Sequence, residues 1–194
     1  MIKNCLKKVV LGVAIMGASL SANSSNYIYD TYSLVGIEGG YGNIDVETNA
    51  DGYEKLDDKI SNIGLKIGAQ SDNYRIFLSA RYYPHSDFEY FNTYGAEVQY
   101  MFNIHESTNF YIGASAGIAN IKYHIEGESD SRTLSDPYFG GDAGFNFHAT
   151  DSIDLELGAR VISLDSVNTK NNISYRFNTI ITGYASIIFK YKMD

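Results

Sequence analysis

Apolar and polar side chains alternate with a period of two along most of this chain, the spacing of half-buried β-strands. The stretch "DLELGARVIS" (154–163) is representative. Leu155, Leu157, Ala159 and Val161 form one face, and Asp154, Glu156, Gly158 and Arg160 the other. Eight segments share this two-faced pattern: 35–42, 62–69, 74–83, 94–102, 110–118, 138–148, 154–163 and 181–191. Their ten charges are Glu38, Lys66, Arg75, Arg81, Glu97, Asp142, Asp154, Glu156, Arg160 and Lys190, and all fall on the second face.

The connectors also alternate. Those after segments two, four and six are short (70–73, 103–109 and 149–152). Those after one, three, five and seven are mostly longer and polar (45–59, 84–92, 126–136 and 165–175). Short turns at one rim and long loops at the other predict an all-β fold: an eight-stranded antiparallel up-and-down β-barrel with both termini on the short-turn side.

Alternation does not say which face is inside. A soluble, lipocalin-type barrel turns its apolar face inward, and a transmembrane barrel turns it to lipid. Three features favour the transmembrane barrel with a filled polar lumen. Rings sit at the ends of the apolar face, with aliphatics and alanines between them: Tyr74-Ile76-Leu78-Ala80-Tyr82 and Tyr94-Ala96-Val98-Tyr100-Phe102. Such rings settle at headgroup level in a bilayer. The charged face is rich in glycine (Gly36, Gly64, Gly68, Gly95, Gly113, Gly117, Gly140, Gly144 and Gly158 among them), which leaves room for long side chains in a narrow lumen. Finally, its charges are five acidic and five basic, as a buried interior requires. Even hairpins would set Glu38 opposite Lys66, Arg81 diagonal to Glu97, Asp142 diagonal to Arg160, and Asp154 opposite Lys190.

Composition agrees: 194 residues with 17 Tyr, 18 Gly and only 2 Pro suit a strand-rich single domain. Residues 1–22 have basic Lys3, Lys7 and Lys8, an apolar run from Val9 to Leu20, and small residues at Ser19, Ser21 and Ala22. That is the layout of a secretory signal peptide, and the run is short for a membrane anchor. The expected organisation is a signal peptide at 1–22, a periplasmic segment at 23–32 and the barrel at 33–194. Removing three lysines and no acid leaves 12 basic side chains against 23 acidic ones, a formal charge of −11. The only cysteine, Cys5, leaves with the signal. An acidic chain is not a nucleic-acid binder.

With the strand "LVGIEGGYGNI" near the start and "ASIIFKYKMD" at the end, residues 33–193 resemble the small bacterial outer-membrane β-barrels, the group of the OmpA membrane domain, OmpX and the opacity-type proteins. The resemblance implies the outer membrane as location, with lipid, lipopolysaccharide and the barrel-assembly machinery as partners. Such barrels usually end on an aromatic residue, whereas here Phe189 and Tyr191 are near the end but Met193 and Asp194 come after them.

Three functions are compatible with such a barrel. The first is a non-enzymatic, monomeric scaffold presenting acidic loops for envelope integrity, surface interaction or adhesion. Its loops carry Asp45, Glu47, Asp51, Glu54, Asp57 and Asp58, then Glu126, Glu128 and Asp130. The second is a lipid-modifying barrel enzyme using His85, Ser86 and Asp87, although adjacent residues do not form a triad. The third is a narrow gated solute pore, opposed by a lumen full of paired charges. The scattered histidines (His85, His105, His124 and His148) suggest no metal site, and no cofactor is expected.

Overall fold

The computed structural model describes residues 31–48, 59–84, 88–123, 132–170 and 173–192. Eight strands close in sequence order into one antiparallel barrel, β1 pairing with β8. They are β1 (Thr31–Thr48), β2 (Lys59–Ser71), β3 (Tyr74–Tyr82), β4 (Phe88–His105), β5 (Thr108–Tyr123), β6 (Arg132–Thr150), β7 (Ile153–Lys170) and β8 (Ile173–Lys192).

Closure leaves no free edge, so every strand has a partner on each side. The β2–β3, β4–β5 and β6–β7 connections are two-residue turns. In the first, Asp72 has φ 48°, a left-handed conformation that Asp tolerates better than branched residues.

The apolar face of the alternation points outward. Ile63 is 64% exposed, Leu157 56% and Leu78 54%. The charged face points inward, where Lys66, Arg75, Glu97 and Asp154 are each 0% exposed. A chain with its oil outside and its charges inside is built for lipid.

The strands run farther than expected on the long-loop side. Residues 88–92 of the connector after segment three belong to β4, 132–136 to β6, and 165–170 with 173–175 to β7 and β8. A tilted strand needs only about 9–11 residues to cross a bilayer, and five of the eight strands have 18 or more. The barrel therefore stands clear of the membrane on that side.

Candidate functional site: a two-storey lumen

Outward residues mark where the bilayer ends. On β1 the outward row passes from Val35, Ile37 and Tyr41 to Asn43 and Asp45; on β2, from Leu65 and Ile63 to Ser61 and Lys59. On β4 it passes from Tyr94 to Asn92, and on β7 from Val161 to Ser163. From strand to strand these switches lie within one outward pair of each other, Tyr41 pairing with Ser61, Asn43 with Ile181, Tyr82 with Asn92 and Ser163 with Thr179, so they ring the barrel.

The inward row switches in the opposite sense at the same height. Below the boundary it carries charges. Above it, Ile44, Ile60, Tyr83, Phe91, Ala119, Ile121, Leu134, Tyr138, Ile162, Leu164, Phe177 and Ile180 form one buried cluster. It draws on every strand except β3, just beyond which lies Tyr83. Tyr83 and Phe91 stack at 4.4 Å between centroids. The reason is the change of solvent. Lipid outside favours apolar out and polar in, whereas water outside restores the ordinary hydrophobic core. Both architectures weighed from sequence are present, one above the other.

At the opposite rim, outward rings form a continuous belt on the lipid face. Tyr74, Tyr100, Phe102, Phe110, Phe145 and Phe147 follow one another across β3 to β6 with centroids 4.7–6.4 Å apart. On β3, Tyr74 and Tyr82 are eight residues apart, which is about 27 Å along a strand and about 21 Å along the axis at a ~40° tilt. That height suits the apolar band of an outer-membrane barrel.

The lower storey holds the ten charges. Glu38 is the hub: Arg160 donates to it at 2.9 and 3.1 Å, Arg81 at 2.5 and 3.3 Å, and Lys66 lies 3.4 Å away. Lys66 also reaches Glu156 at 2.9 Å. Arg75 binds Glu156 at 3.1 Å and Asp154 at 2.5 Å. Asp154 further meets Lys190 at 2.7 Å and His148 at 2.8 Å, near the short-turn rim. Arg81 donates to Glu97, which lies 3.8 Å from Arg160.

The registers differ from even hairpins, and the pairings change accordingly. Glu38 is opposite Gly64, and Lys66 is opposite Gly36, so their ion pair is diagonal. Arg81 is opposite Thr93 and Glu97 opposite Phe77, so Arg81 reaches along the lumen beyond any diagonal neighbour. Asp142 and Arg160 are directly opposite, not diagonal, and Arg160 turns to Glu38. Asp154 faces Ile188, which makes its contact to Lys190 diagonal. Of these pairs only Asp142–Arg160 spans one of the two-residue turns at the short-turn rim; the others join strands across the long-connector side, where connector length alone does not specify the register.

Glycines provide the space. A Cβ on Gly64 would lie 2.8 Å from Glu38 Cγ and 3.0 Å from Arg81 Cγ, so the hub needs a bare backbone there. Neutral side chains missed in the sequence reading complete the network. Asn146 contacts both Arg75 and Asp154, Asn62 donates to Glu38, and Gln99 and Tyr184 hold Asp142. Strand parity marks them as it marks the charges, since all of them occupy the second face.

Above the boundary, Lys122 and Glu89 form an exposed pair at 2.5 Å, and that hydrogen bond holds the ammonium above the ordinary lysine value. Among the described residues no cluster of His, Cys, Asp or Glu is placed to hold a metal ion. His85, Ser86, Asp87, His124, most of the loop acids, residues 1–30 and the terminal Met193 and Asp194 lie outside the described residues.

A family model described as outer membrane protein beta-barrel domain matches residues 10–185. No curated protein matches the chain. Among solved structures, Neisserial surface protein A aligns with a TM-score of 0.59 at 17% identity, covering 83% of this chain and 97% of that one. OprG, an outer membrane protein of Pseudomonas aeruginosa, gives 0.57 at 10% identity, with 84% and 97% covered. The N-terminal β-barrel domain of OprF from the same organism gives 0.54 at 14% identity, with 81% and 97% covered. At such identities these likenesses speak for the fold.

Proposed function

This chain belongs to the outer membrane protein beta-barrel domain family, and from that premise we propose that it is a closed, non-enzymatic pedestal that presents acidic loops at the bacterial surface. The observation that carries this reading is the change of polarity between storeys. The barrel continues beyond the lipid boundary as a packed, water-facing stalk, which lifts the loops above the bilayer by roughly 15–20 Å at strand geometry. A stalk with a solid core is a rigid mount for loops, the segments on which binding residues concentrate.

In this reading residues 1–22 direct export, the following segment remains periplasmic up to the start of β1 at Thr31, two residues earlier than the expected boundary, and the barrel-assembly machinery inserts the rest. Lipid and lipopolysaccharide surround a single copy. The acidic loops then serve surface interaction, adhesion or envelope integrity. The name of Neisserial surface protein A is in keeping with a surface location.

Two closures in series oppose the pore alternative: the ion-pair network below and the apolar plug above. A lipid-modifying enzyme would depend on His85, Ser86 and Asp87, which lie outside the described residues.

The test is to separate cell membranes, probe whole cells with an antibody against residues 49–58, and examine the gel mobility of unboiled protein. The pedestal reading expects outer-membrane fractionation, a shift on boiling and antibody binding to intact cells. Antibody binding only after permeabilisation would overturn it.

A further inference from the structure

Asp142 is the lumen acid that the ion pairs pass by. It is 5% exposed and directly opposite Arg160, yet that guanidinium is engaged with Glu38. Asp142 instead has neutral partners. Its Oδ2 accepts from Gln99 Nε2 at 2.7 Å and from the Tyr184 hydroxyl at 3.1 Å, and Tyr184 in turn accepts from Tyr111 at 2.7 Å.

The other ends of both side chains are bare. Asp142 Oδ1 and Gln99 Oε1 are buried and have no hydrogen-bond partner. The two groups lean together over Gly113, where a Cβ would lie 2.6 Å from Asp142 Oδ1 and 2.8 Å from Gln99 Cγ. A carboxylate and an amide joined at one end and presenting two bare acceptors at the other is a costly arrangement in a dry interior. One hydrogen removes both defects.

We propose that Asp142 is a buried proton-binding site: a neutral carboxylic acid whose Oδ1–H donates to Gln99 Oε1. With the Gln99 Nε2 bond to Oδ2, this closes a two-hydrogen-bond ring of acid and amide. Oδ2 is then the carbonyl oxygen, whose two lone pairs accept from Gln99 and Tyr184.

Charge balance supports the same state. Within the closed lumen Glu38, Glu97, Asp154 and Glu156 match Lys66, Arg75, Arg81 and Arg160 one for one, every member ion-paired. Lys190, the fifth cation, sits at the rim with its side chain 11% exposed. Lys190 pairs there with Asp154, so a neutral Asp142 leaves the enclosed set uncharged and places the one surplus positive charge at the rim. The titratable groups around it are Glu97 from β4, Tyr111 from β5, Arg160 and Glu156 from β7, and Tyr184 from β8. Losing the proton would set a second carboxylate near Glu97, with both terminal nitrogens of the facing Arg160 committed to Glu38.

The test is carbon-13 NMR of the protein refolded in phospholipid vesicles, with aspartate carboxyls labelled, over a range of pH. At neutral pH one aspartate signal is expected at the protonated position. It should be absent from Asp142→Asn and should move to the carboxylate position only under alkaline conditions. If every aspartate is a carboxylate at neutral pH, as a bound metal cation in place of the proton would also require, the proposal is overturned. A second readout is thermal unfolding against pH. Wild type should lose stability steadily as the pH rises from the ordinary aspartate range to the alkaline midpoint of the folded-state acid and level off above it, whereas Asp142→Asn supplies a non-titrating N–H to Gln99 and should not show that decline. Identical profiles would contradict the proposal, and if the variant fails to fold, the wild-type spectrum alone decides.

Discussion

Glu38 on β1 and Arg160 on β7 are 122 residues apart in sequence and joined across the lumen by two hydrogen bonds of 2.9 and 3.1 Å. Arg81 and Lys66 converge on the same carboxylate, so three cations from β2, β3 and β7 share one acid, with Glu97 and Glu156 beside them. Removing it would leave buried positive charge without its counter-ion. Glu38→Ala should destabilise the barrel by about 3–5 kcal/mol, the cost of breaking a buried pair from one side. Urea unfolding of the vesicle-inserted protein measures this, and a loss below about 1 kcal/mol would mean that the hub is wet.

Leu65 and Gly64 are sequence neighbours with opposite surroundings. Leu65 is 60% exposed on the lipid face, while Gly64 lies under Glu38 and Arg81. Leu65→Arg should cost about 2–4 kcal/mol at mid-bilayer depth, and Leu65→Ile close to nothing. Gly64→Leu should disrupt the ion-pair hub and block folding, although it adds apolar surface. Unfolding curves of the three variants distinguish lipid from lumen directly.

The upper storey makes a different prediction. Phe91 is 0% exposed in the plug and stacks on Tyr83. Phe91→Ala should cost about 3–5 kcal/mol, as in a soluble core. Planar-bilayer recordings should nonetheless stay silent for this variant, because the ion-pair network below still closes the lumen. Steady conductance from the wild type would show that neither closure holds.

The fold was legible because alternation, turn length and ring placement pointed the same way. Ile37, Leu65 and Leu157 face lipid as their period-two spacing implies. The lumen charges were legible too, since strand parity alone separates Glu38 and Arg160 from their apolar neighbours. The partners were not. Register depends on the atomic geometry of each turn, and a side chain as long as Arg81 can pass its nearest neighbours to reach Glu97. The upper storey was hidden for another reason. Ile44 and Phe91 lie where the alternation inverts, so they read as the edges of polar loops until the change of solvent is recognised.

The belt of rings at the short-turn rim gives a fourth prediction. Phe110 contacts both Phe102 and Phe145, at 6.0 and 5.6 Å between centroids. Phe110→Ala removes two aromatic pairs, worth about 1–3 kcal/mol together. Tyr at this position should preserve most of that stability. Unfolding in vesicles reports the difference, and equal losses for Ala and Tyr would show that the belt acts through something other than ring contact.

The most direct test of the two-storey account is a cysteine scan of β1 from Val35 to Val46 in a background lacking Cys5. Each site carries a spin label, and its access to lipid-dissolved oxygen and to a water-soluble relaxer is measured. The account predicts lipid exposure at Val35, Ile37 and Tyr41, water exposure at Asn43 and Asp45, and protection from both at Glu38 and Ile44. Water access at Ile37 with none at Asn43, or lipid access continuing through Asp45, would contradict it.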